Sequence, residues 1–543
     1  MKNNYINNKA MMLRTIKSIL TMFAFVLLVQ SCEDRLDLQP EDNRLTADAA
    51  FEDPDAYKQF LAKIYAGISL SGQEGPSGAP DLQGLDEGFS NYLRLYWKMQ
   101  ELTTDEAIIA WNDGTIHDLH NQVWTSGNEF IRTMYSRLMY QVALCNEFLR
   151  QTTGPKLDSR GVSSELRADI QTFRAEARFM RALTYWHAMD LYANPPFVTE
   201  DDPIGAFLPP QIQRADLFDY VESELLDILD DMAAPRGNEY GRADRAAAWM
   251  LLAKLYLNAE VYTGTPRYAD VITYAGNIIG AGYSIPDIPY FHSFLADNNS
   301  NGAQEEVIFT IPFDGLRTQA FGGMTFLTHA PVGGSMNPAD FGINGGWFGI
   351  RTTPTFVEQF PGEENSADGR ELLYTDGQSK DIMTIASFTD GYAVAKYRNV
   401  DVNGNPGSDS TGDHTDIDFP MFRLADVYLM YAEAVLRGGG GSTSTAVGYI
   451  NELRERAYGD TSGNIAEGDL DLDFIIDERS RELYWEAHRR TDLIRFDQFS
   501  DNGVWQWKGG VQQGTTTDSF RDLMPLPATD LGINTNLEQN PGY

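Results

Sequence analysis

Cysteine residues and long apolar runs are scarce in this 543-residue sequence. Only two cysteines occur, Cys32 and Cys145, so a framework of several disulfides is excluded. The apolar run Ser18–Val29 is shorter than the ~20 residues that a membrane-spanning helix needs, and no longer run follows it. HExxH, GxSxG and zinc-type Cys/His motifs are also absent, so the commonest hydrolase signatures are not represented.

Basic residues are also few for a chain of this length. There are 42 lysines and arginines against 78 aspartates and glutamates, which gives a net charge of −36. A surface of this sign repels phosphate backbones, so nucleic acid is a poor candidate ligand. The acids are spread along the chain, which indicates a solvated surface that also offers carboxylates to hard cations such as Ca²⁺.

The N-terminus has the pattern of a secretory signal peptide over residues 1–31. The segment before the apolar run carries basic residues and no acid: Lys2, Lys9, Arg14 and Lys17. Val29-Gln30-Ser31 then precedes Cys32, which resembles the bacterial lipobox and implies cleavage before Cys32 and acylation of its amino group. The alternative is an ordinary signal peptide with an incidental cysteine. Residues 32–50 are polar and acidic and predict an arm leading away from a membrane.

Helical patterns dominate the first half of the remaining chain. Helices are predicted in the segments 125–151, 164–193 and 214–233, where apolar residues recur with helical spacing. Cys145 lies in the periodic stretch YSRLMYQVALCNEFL. No His or Lys nearby would lower its pKa, so we expect a buried structural thiol rather than a nucleophile.

A repeated spacing of large, small and aromatic residues indicates helical repeats. Trp249-x-x-Leu252-Ala253-x-x-Tyr256 fits the first helix of a tetratricopeptide repeat, and the segment from Tyr268 to Ile279 fits the second. The same pattern returns in the stretches 428–435 and 446–453, and a similar one occurs at 181–185. Two such helix pairs predict a helical-repeat scaffold, with Trp186 and Trp249 in its core.

Residues 280–420 differ in composition from the repeats. Gly, Asn, Thr, Asp and aromatic residues replace the alanine-rich pattern, and EEVIFTIPF and YAVAKYR read as short strands. We therefore predict one domain over 51–543, with repeats mainly in 51–280 and 420–500. An irregular region at about 70–125 and 280–420 would carry the binding site, since long loops on a regular scaffold often do.

Six stretches of the sequence resemble the SusD/RagB family of Bacteroidetes lipoproteins and occur in that family's order. They are FMRALTYWHAMDLYANPPFVTE, RADRAAAWMLLAKLYLNAEVYTG, MFRLADVYLMYAEAVLRGG, INELRERAY, ERSRELYWEAHRRTDLIRF and LMPLPATDLGINTNLEQNPGY. The loop SGQEGPSGAPDLQGLDEG, the stretch ELTTDEAIIAW and the segment VWQWKGG are similar to starch-binding members in particular. Glu33-Asp34 after Cys32 resembles the family's surface-export signal.

The resemblance implies a mostly α fold of about four tetratricopeptide-like helix pairs with an irregular, loop-rich glycan-binding half containing short strands. It implies an outer-membrane lipoprotein that binds starch or malto-oligosaccharides. It also implies a partner, a TonB-dependent transporter of the SusC type that receives the captured glycan. No enzymatic activity and no required cofactor are implied.

The resemblance also assigns site residues. The aromatic arc that stacks on a curved glucan maps onto Trp111, Trp347 and Phe321, and a hydroxyl-binding arginine maps onto Arg94. The family's hydroxyl-binding asparagine falls on Gly114, so Asn112 or Asp113 would have to replace it. A structural Ca²⁺ site maps onto the residues Asp416, Asp418, Asn299 and Asp297, and oxygen ligands of this kind suit that cation.

Three alternatives remain open at the level of sequence. A helical glycoside hydrolase would need two carboxylates placed across a sugar, and this acidic chain has many. A pure interaction scaffold would use the repeats to hold the transporter and leave the glycan site unused. Finally, the bound polysaccharide could differ from starch, because Phe321 and Gly114 depart from the starch-binding pattern.

Overall fold

The computed structural model describes residues 11–12, 47–76, 80–82, 88–362 and 366–543. The chain divides into two compact units, Met1–Tyr57 and Lys58–Tyr543. In the described part of the first unit, the ring of Tyr57 packs against Phe51 with a centroid distance of 5.0 Å. The predicted lipidation site Cys32, the Glu33-Asp34 pair, most of the predicted signal peptide and most of the arm lie outside the described residues.

The fold is mostly helical, with 46% helix and 6% strand, as the sequence predicted. The helices are α1 (Ala47–Ala50), α2 (Ala56–Ser69), α3 (Tyr92–Gln100), α4 (His117–Asn121), α5 (Glu129–Gln151), α6 (Gly154–Ser159), α7 (Ser164–Tyr192), α8 (Arg214–Ile228), α9 (Arg245–Leu257), α10 (Ala259–Thr263), α11 (Tyr268–Ile279), α12 (Gly323–His329), α13 (Pro354–Val357), α14 (Leu424–Leu436), α15 (Thr443–Tyr458), α16 (Leu472–Leu483), α17 (Arg489–Arg495) and α18 (Ala528–Ile533). Among these described helices, none is both long and apolar enough to cross a bilayer.

Side-chain caps explain where several long helices begin. Asn128 accepts hydrogen bonds from the Phe130 and Ile131 amides and starts α5 a few residues later than the pattern predicted. Ser163 caps α7 and Asp244 caps α9 in the same way. Each side-chain oxygen satisfies backbone N–H groups that have no partner within the helix.

The helices predicted as repeats stack against one another. Helix α5 packs on α7, α7 on α8, α9 on α11, α11 on α14, and α14 on α15. The small and large residues of the predicted spacing, such as Ala253, Ala432 and Ile450, are fully buried at these contacts. Trp186 is buried as predicted, whereas Trp249 is only half-buried, because an indole is large and one edge often remains at the surface. Cys145 is a buried free thiol whose pKa is raised to about 12 by burial.

The described strands form three two-stranded antiparallel sheets within the irregular region. They are β1 (Ile108–Ile109) with β3 (Ile350–Arg351), β2 (Val307–Ile311) with β6 (Phe419–Arg423), and β4 (Leu373–Tyr374) with β5 (Ala393–Val394). The predicted strands EEVIFTIPF and YAVAKYR contain β2 and β5. Strand β6 continues directly into helix α14, so the β2–β6 pair fastens the irregular region to the repeats.

A buried ionic network holds this junction together. Arg423 pairs with Glu306 (2.8 Å), Glu482 (2.6 Å) and Glu486 (2.6 Å), and all four side chains are almost fully buried. Arg456 from α15 pairs with the same Glu306 and Glu482. The basic groups lower the pKa of the Glu482 carboxyl to about 2 despite its burial, so this carboxyl is ionised at neutral pH.

Candidate functional site

A two-residue sheet brings together the two tryptophans that the sequence singled out. Ile109 of β1 pairs with Ile350 of β3, and the Ala110 amide donates a hydrogen bond to the Gly349 carbonyl (2.8 Å). One residue, Ala110, separates Trp111 from the end of β1, and two residues separate Trp347 from the start of β3. Their side chains therefore meet although 236 positions separate them in sequence.

The two indole rings form an angled pair. Their centroids lie 6.3 Å apart and the planes meet at 45°, so together they present a bent rather than a flat apolar face. The Trp111 Nε1–H donates to the Trp347 carbonyl at 2.8 Å, which fixes one indole to the backbone of the other. The Trp111 ring also lies over Gly349, where an added Cβ would come within 2.5 Å of it. Glycine at this position is therefore required for the ring to lie where it does.

His329 packs against one face of the Trp347 ring. Its ring stacks on Trp347 at 4.8 Å, and its backbone carbonyl accepts the Trp347 amide at 2.9 Å. The His329 Nδ1 lies 2.7 Å from the Gly345 carbonyl, an acceptor, so this nitrogen carries the proton. Burial lowers the pKa of His329, so the imidazole is neutral at physiological pH. Nothing in the sequence around His329 pointed to this role.

Arg94 connects the tryptophan pair to Phe321. Its guanidinium carbon lies 5.9 Å from the Trp111 ring and 4.4 Å from the Phe326 ring. Its Nη1 donates to the Phe321 carbonyl at 2.9 Å, so the arginine is positioned by that loop. Both Arg94 and Phe321 are partly exposed. The predicted arc residues and the predicted arginine are thus joined by a continuous set of contacts.

Phe321 in turn packs on a loop that the sequence did not associate with the arc. Its ring lies 5.6 Å from that of His414, and the neighbouring Asp413 accepts a hydrogen bond from Asn344 (2.6 Å). Asn344 begins the Asn-Gly-Gly stretch before Trp347. The exposed Asn344 and Asp413 therefore supply polar groups at the rim of the aromatic surface, between Phe321 and Trp347.

Asn112, Asp113 and Gly114 are all exposed beside Trp111. Asp113 and Gly114 line a cleft of about 420 Å³ that also contains Arg94 and Glu129, and Asn112 is not among the lining residues. Gly114 has φ +47°, and an added Cβ would collide with the Glu129 carboxylate. A side chain at 114 would therefore have to displace that carboxylate, and of the two predicted replacements only Asp113 lines the cleft.

The residues predicted to bind a cation are partly brought together. Asp418 accepts hydrogen bonds from the Phe313 amide (2.7 Å) and the Tyr240 hydroxyl (2.8 Å), and it also interacts with Asn299 and Asp416. Burial raises the pKa of the Asp418 carboxyl to about 6. Asp297 instead accepts from Asn301 and from the Val402 amide.

The donor set at this position is oxygen-rich, as Ca²⁺ requires. Asp416 accepts from the Gly315 amide (2.6 Å) and the Ser408 hydroxyl (2.7 Å) through Oδ1, and from the Ser408 amide through Oδ2, so a lone pair remains on Oδ2. Across the described ranges, from 47 onward with their gaps, no three Asp, Glu, His or Cys side chains form a metal-binding group. A cation here would depend on Asp416, Asp418, the Asn299 amide, backbone carbonyls and water.

The sequence is similar to proteins of the SusD family. The profile of the SusD family matches residues 364–543. The starch-binding protein SusD of Bacteroides thetaiotaomicron is 35% identical, over 95% of this chain and 96% of that protein. SusD-like protein P25 of Formosa agariphila is 28% identical, over 70% of this chain and 75% of its own.

Solved structures share the architecture. Surface glycan-binding protein A of Bacteroides thetaiotaomicron, in complex with laminarihexaose, superposes with a TM-score of 0.66 at 18% identity, covering 90% of this chain and 99% of its own. A SusD-like protein from Bacteroides fragilis superposes with a TM-score of 0.69 at 17% identity, covering 93% and 100%. At these identities the likeness concerns the fold alone.

Proposed function

Since the chain belongs to the SusD family, we propose that it is a cell-surface glycan-binding lipoprotein that captures starch or malto-oligosaccharides. The captured glycan would pass to a TonB-dependent outer-membrane transporter of the SusC type. The observation that carries the proposal is the angled Trp111–Trp347 pair with Arg94 at its edge. Sugar rings present apolar C–H faces with hydroxyls at the rim, and this surface offers both kinds of contact.

The bend between the two indoles favours a curved glucan. An α-1,4-linked chain coils, so successive glucose units turn and meet rings set at an angle. A β-1,4-linked chain is flat and would rest on only one of two rings that diverge by 45°. The relative at 35% identity is itself named a starch-binding protein, which supports the same choice. A different polysaccharide is the alternative, and the laminarihexaose bound to the glycan-binding protein of similar fold shows which glucan to include in a test.

The proposed lipid anchor and the proposed transporter partner are supported by the amino-acid sequence. Cys32 follows a signal-like segment, and two or more acyl chains would hold the mature protein stably at a membrane, since each buried CH₂ contributes ~0.8 kcal/mol. Modest affinity at each site would suit transfer to a transporter, because a tightly held glycan would be released slowly. Radiolabelled palmitate incorporation that depends on Cys32 would test the anchor, with Cys145→Ser as the matched control.

Catalysis is the alternative function, and two buried carboxyl groups with raised pKa values bear on it. Glu101 and Glu106 have raised pKa values because they are buried, and a general acid needs such a pKa. Both are almost fully shielded, and Glu106 is held by Ser480 and the Trp485 amide, so no sugar reaches them. We therefore propose binding without hydrolysis. Release of new reducing ends from maltohexaose by the purified protein would contradict this.

Retardation in native gels containing amylose tests the function directly. Trp111→Ala and Trp347→Ala should each remove most of the retardation, since either change leaves a single ring. Phe291→Ala is the matched control, because this ring is 38% exposed and lies elsewhere on the surface. Unchanged mobility of both tryptophan variants would support a pure interaction scaffold instead.

We also propose that Asp416, Asp418 and Asn299 hold a structural Ca²⁺. The loop 409–418 carries both aspartates and His414, which packs on Phe321, so the cation would stabilise one end of the arc. Ca²⁺ should raise the melting temperature of the protein, by mass action on the folded state. Asp416→Asn should abolish the increase, and the exposed Asp169→Asn should leave it intact.

A further inference from the structure

Phe348 has an unusual backbone conformation and an exposed ring. It follows Trp347 directly, its φ is +53°, and 52% of its side chain is accessible to solvent. A bulky residue at positive φ is uncommon and is unfavourable for the folded chain. A large apolar ring held at the surface in this conformation calls for a functional explanation.

Three consecutive backbone hydrogen bonds fix this conformation. The amides of Trp347, Phe348 and Gly349 donate to the carbonyls of the neighbouring segment, respectively to His329 (2.9 Å), Val332 (3.0 Å) and Ala330 (2.8 Å). The backbone of Phe348 is thus held by the same segment that positions Trp347. The two residues follow each other on a stretch of chain whose position is fixed.

The Phe348 ring is supported on one side only. An added Cβ at Gly333 would lie 2.6 Å from Phe348 Cδ1, so the ring rests directly on the backbone there. Phe388 contacts it nearly edge-on, with centroids 5.6 Å apart at 68°. Phe388 belongs to a buried cluster with Val332 and Phe341, whereas Phe348 lies outside that cluster. The ring is therefore held firmly while much of its surface faces solvent.

Two hydroxyl groups lie next to Phe388, the ring that contacts Phe348. They belong to Ser387 and Thr389 and form a hydrogen bond with each other at 3.1 Å. The Thr389 methyl lies close to Gly334, one residue beyond the glycine under Phe348. A hexose presents an apolar C–H face edged by hydroxyl groups, and the exposed Phe348 ring with this hydroxyl pair on the adjacent segment offers both kinds of contact.

We propose that Phe348 is an additional sugar-contacting ring that extends the binding surface beyond Trp347. This inference rests on the proposed function, because it assigns another glucose unit of the same ligand to Phe348. A short oligosaccharide would occupy Trp111 and Trp347, and only a longer one would also reach Phe348. Phe348 would then make the protein selective for chain length.

Calorimetric titration of the purified mature chain with maltotriose and with longer malto-oligosaccharides tests the proposal. Phe348→Ala should leave the affinity for the shortest ligand within about twofold and weaken binding of the longest about tenfold, the loss expected for one stacking contact. Phe348→Tyr keeps the ring and should restore the length preference. Melting temperatures of both variants establish that they are folded.

The outcomes separate the two claims. If Trp347→Ala abolishes binding while Phe348→Ala leaves the affinity for every length unchanged, the extra contact is refuted and the proposed function stands. An equal loss at every length, or a loss only of binding to the transporter, would likewise refute it. If the unchanged protein binds no α-1,4-glucan, the proposed function is rejected and the extra contact with it.

Discussion

The indole N–H of Trp111 donates a hydrogen bond to the backbone carbonyl of Trp347 at 2.8 Å. The indole N–H of Trp111 is therefore not available to a ligand. It joins the Trp111 ring to the backbone that carries the Trp347 ring. The two rings therefore act as a single preformed surface, which lowers the entropy lost on binding.

Trp111→Phe tests this relationship. Phenylalanine keeps an apolar face but has no donor for the Trp347 carbonyl, so the angle between the rings is less well fixed. We expect a loss of about 1 kcal/mol in stability, typical of a hydrogen bond, and weaker but measurable amylose binding. Trp111→Ala should bind far less. Chemical denaturation and titration of the two variants side by side would check this, and equal binding by both would contradict it.

Gly114→Asn restores the residue type of the family pattern, yet we expect it to destabilise the protein. The new side chain would displace the Glu129 carboxylate, which accepts a hydrogen bond from the Thr115 amide (3.3 Å), and φ is already +47°. Gly404→Asn is the matched control, because its φ of +83° is also positive but open space surrounds it. Melting temperature should fall clearly more for the first variant. Tighter glycan binding by Gly114→Asn without loss of stability would show that the collision is avoided.

The buried pair Glu101 and Glu106 predicts a pH dependence of stability. Burial raises the pKa of Glu106 from its ordinary value of 4.5 to about 7, and it also raises the pKa of Glu101. The folded state then holds more protons than the unfolded state between these values, so stability falls as pH rises through about 4.5 to 7. The part of this loss that comes from Glu106 is complete once the pH exceeds its folded-state pKa.

Glu101→Gln should remove much of this loss. The glutamine oxygen can still accept the His488 amide, and its NH₂ can donate to Glu106. We expect a melting temperature about 1–3 °C above that of the unchanged protein at pH 8, and a smaller difference at pH 5. Scanning calorimetry at both pH values measures it. A larger gain at pH 5 than at pH 8 would have the wrong sign.

Arg423→Ala should be strongly destabilising. The change leaves Glu306, Glu482 and Glu486 buried without one of their main partners, and breaking such a network costs ~3–5 kcal/mol. Arg317→Ala removes an exposed pair with Asp314 and should cost less than ~1 kcal/mol. Urea denaturation of the two variants compares them, and similar midpoints would contradict the structural role of the network.

The sequence predicted the repeat helices because their apolar spacing is local, and side-chain caps such as Asn128 account for the shifted boundaries. The meeting of Trp111 and Trp347 depends on two short strands far apart in the chain, which no local pattern specifies. It was predicted only through the family resemblance. The roles of His329 and Phe348 could not be predicted from the sequence, because ring stacking and an unusual backbone conformation arise only in the folded chain.

Titration with curved and flat glucans tests the central claim most directly. The unchanged protein and a Trp111→Ala/Trp347→Ala double variant would each be titrated with a cyclic α-1,4-glucan, cellohexaose and laminarihexaose. The account predicts that the unchanged protein prefers the cyclic α-1,4-glucan and that the double variant loses this preference together with the binding. Equal affinity of the unchanged protein for cellohexaose, or unaltered binding by the double variant, would contradict it.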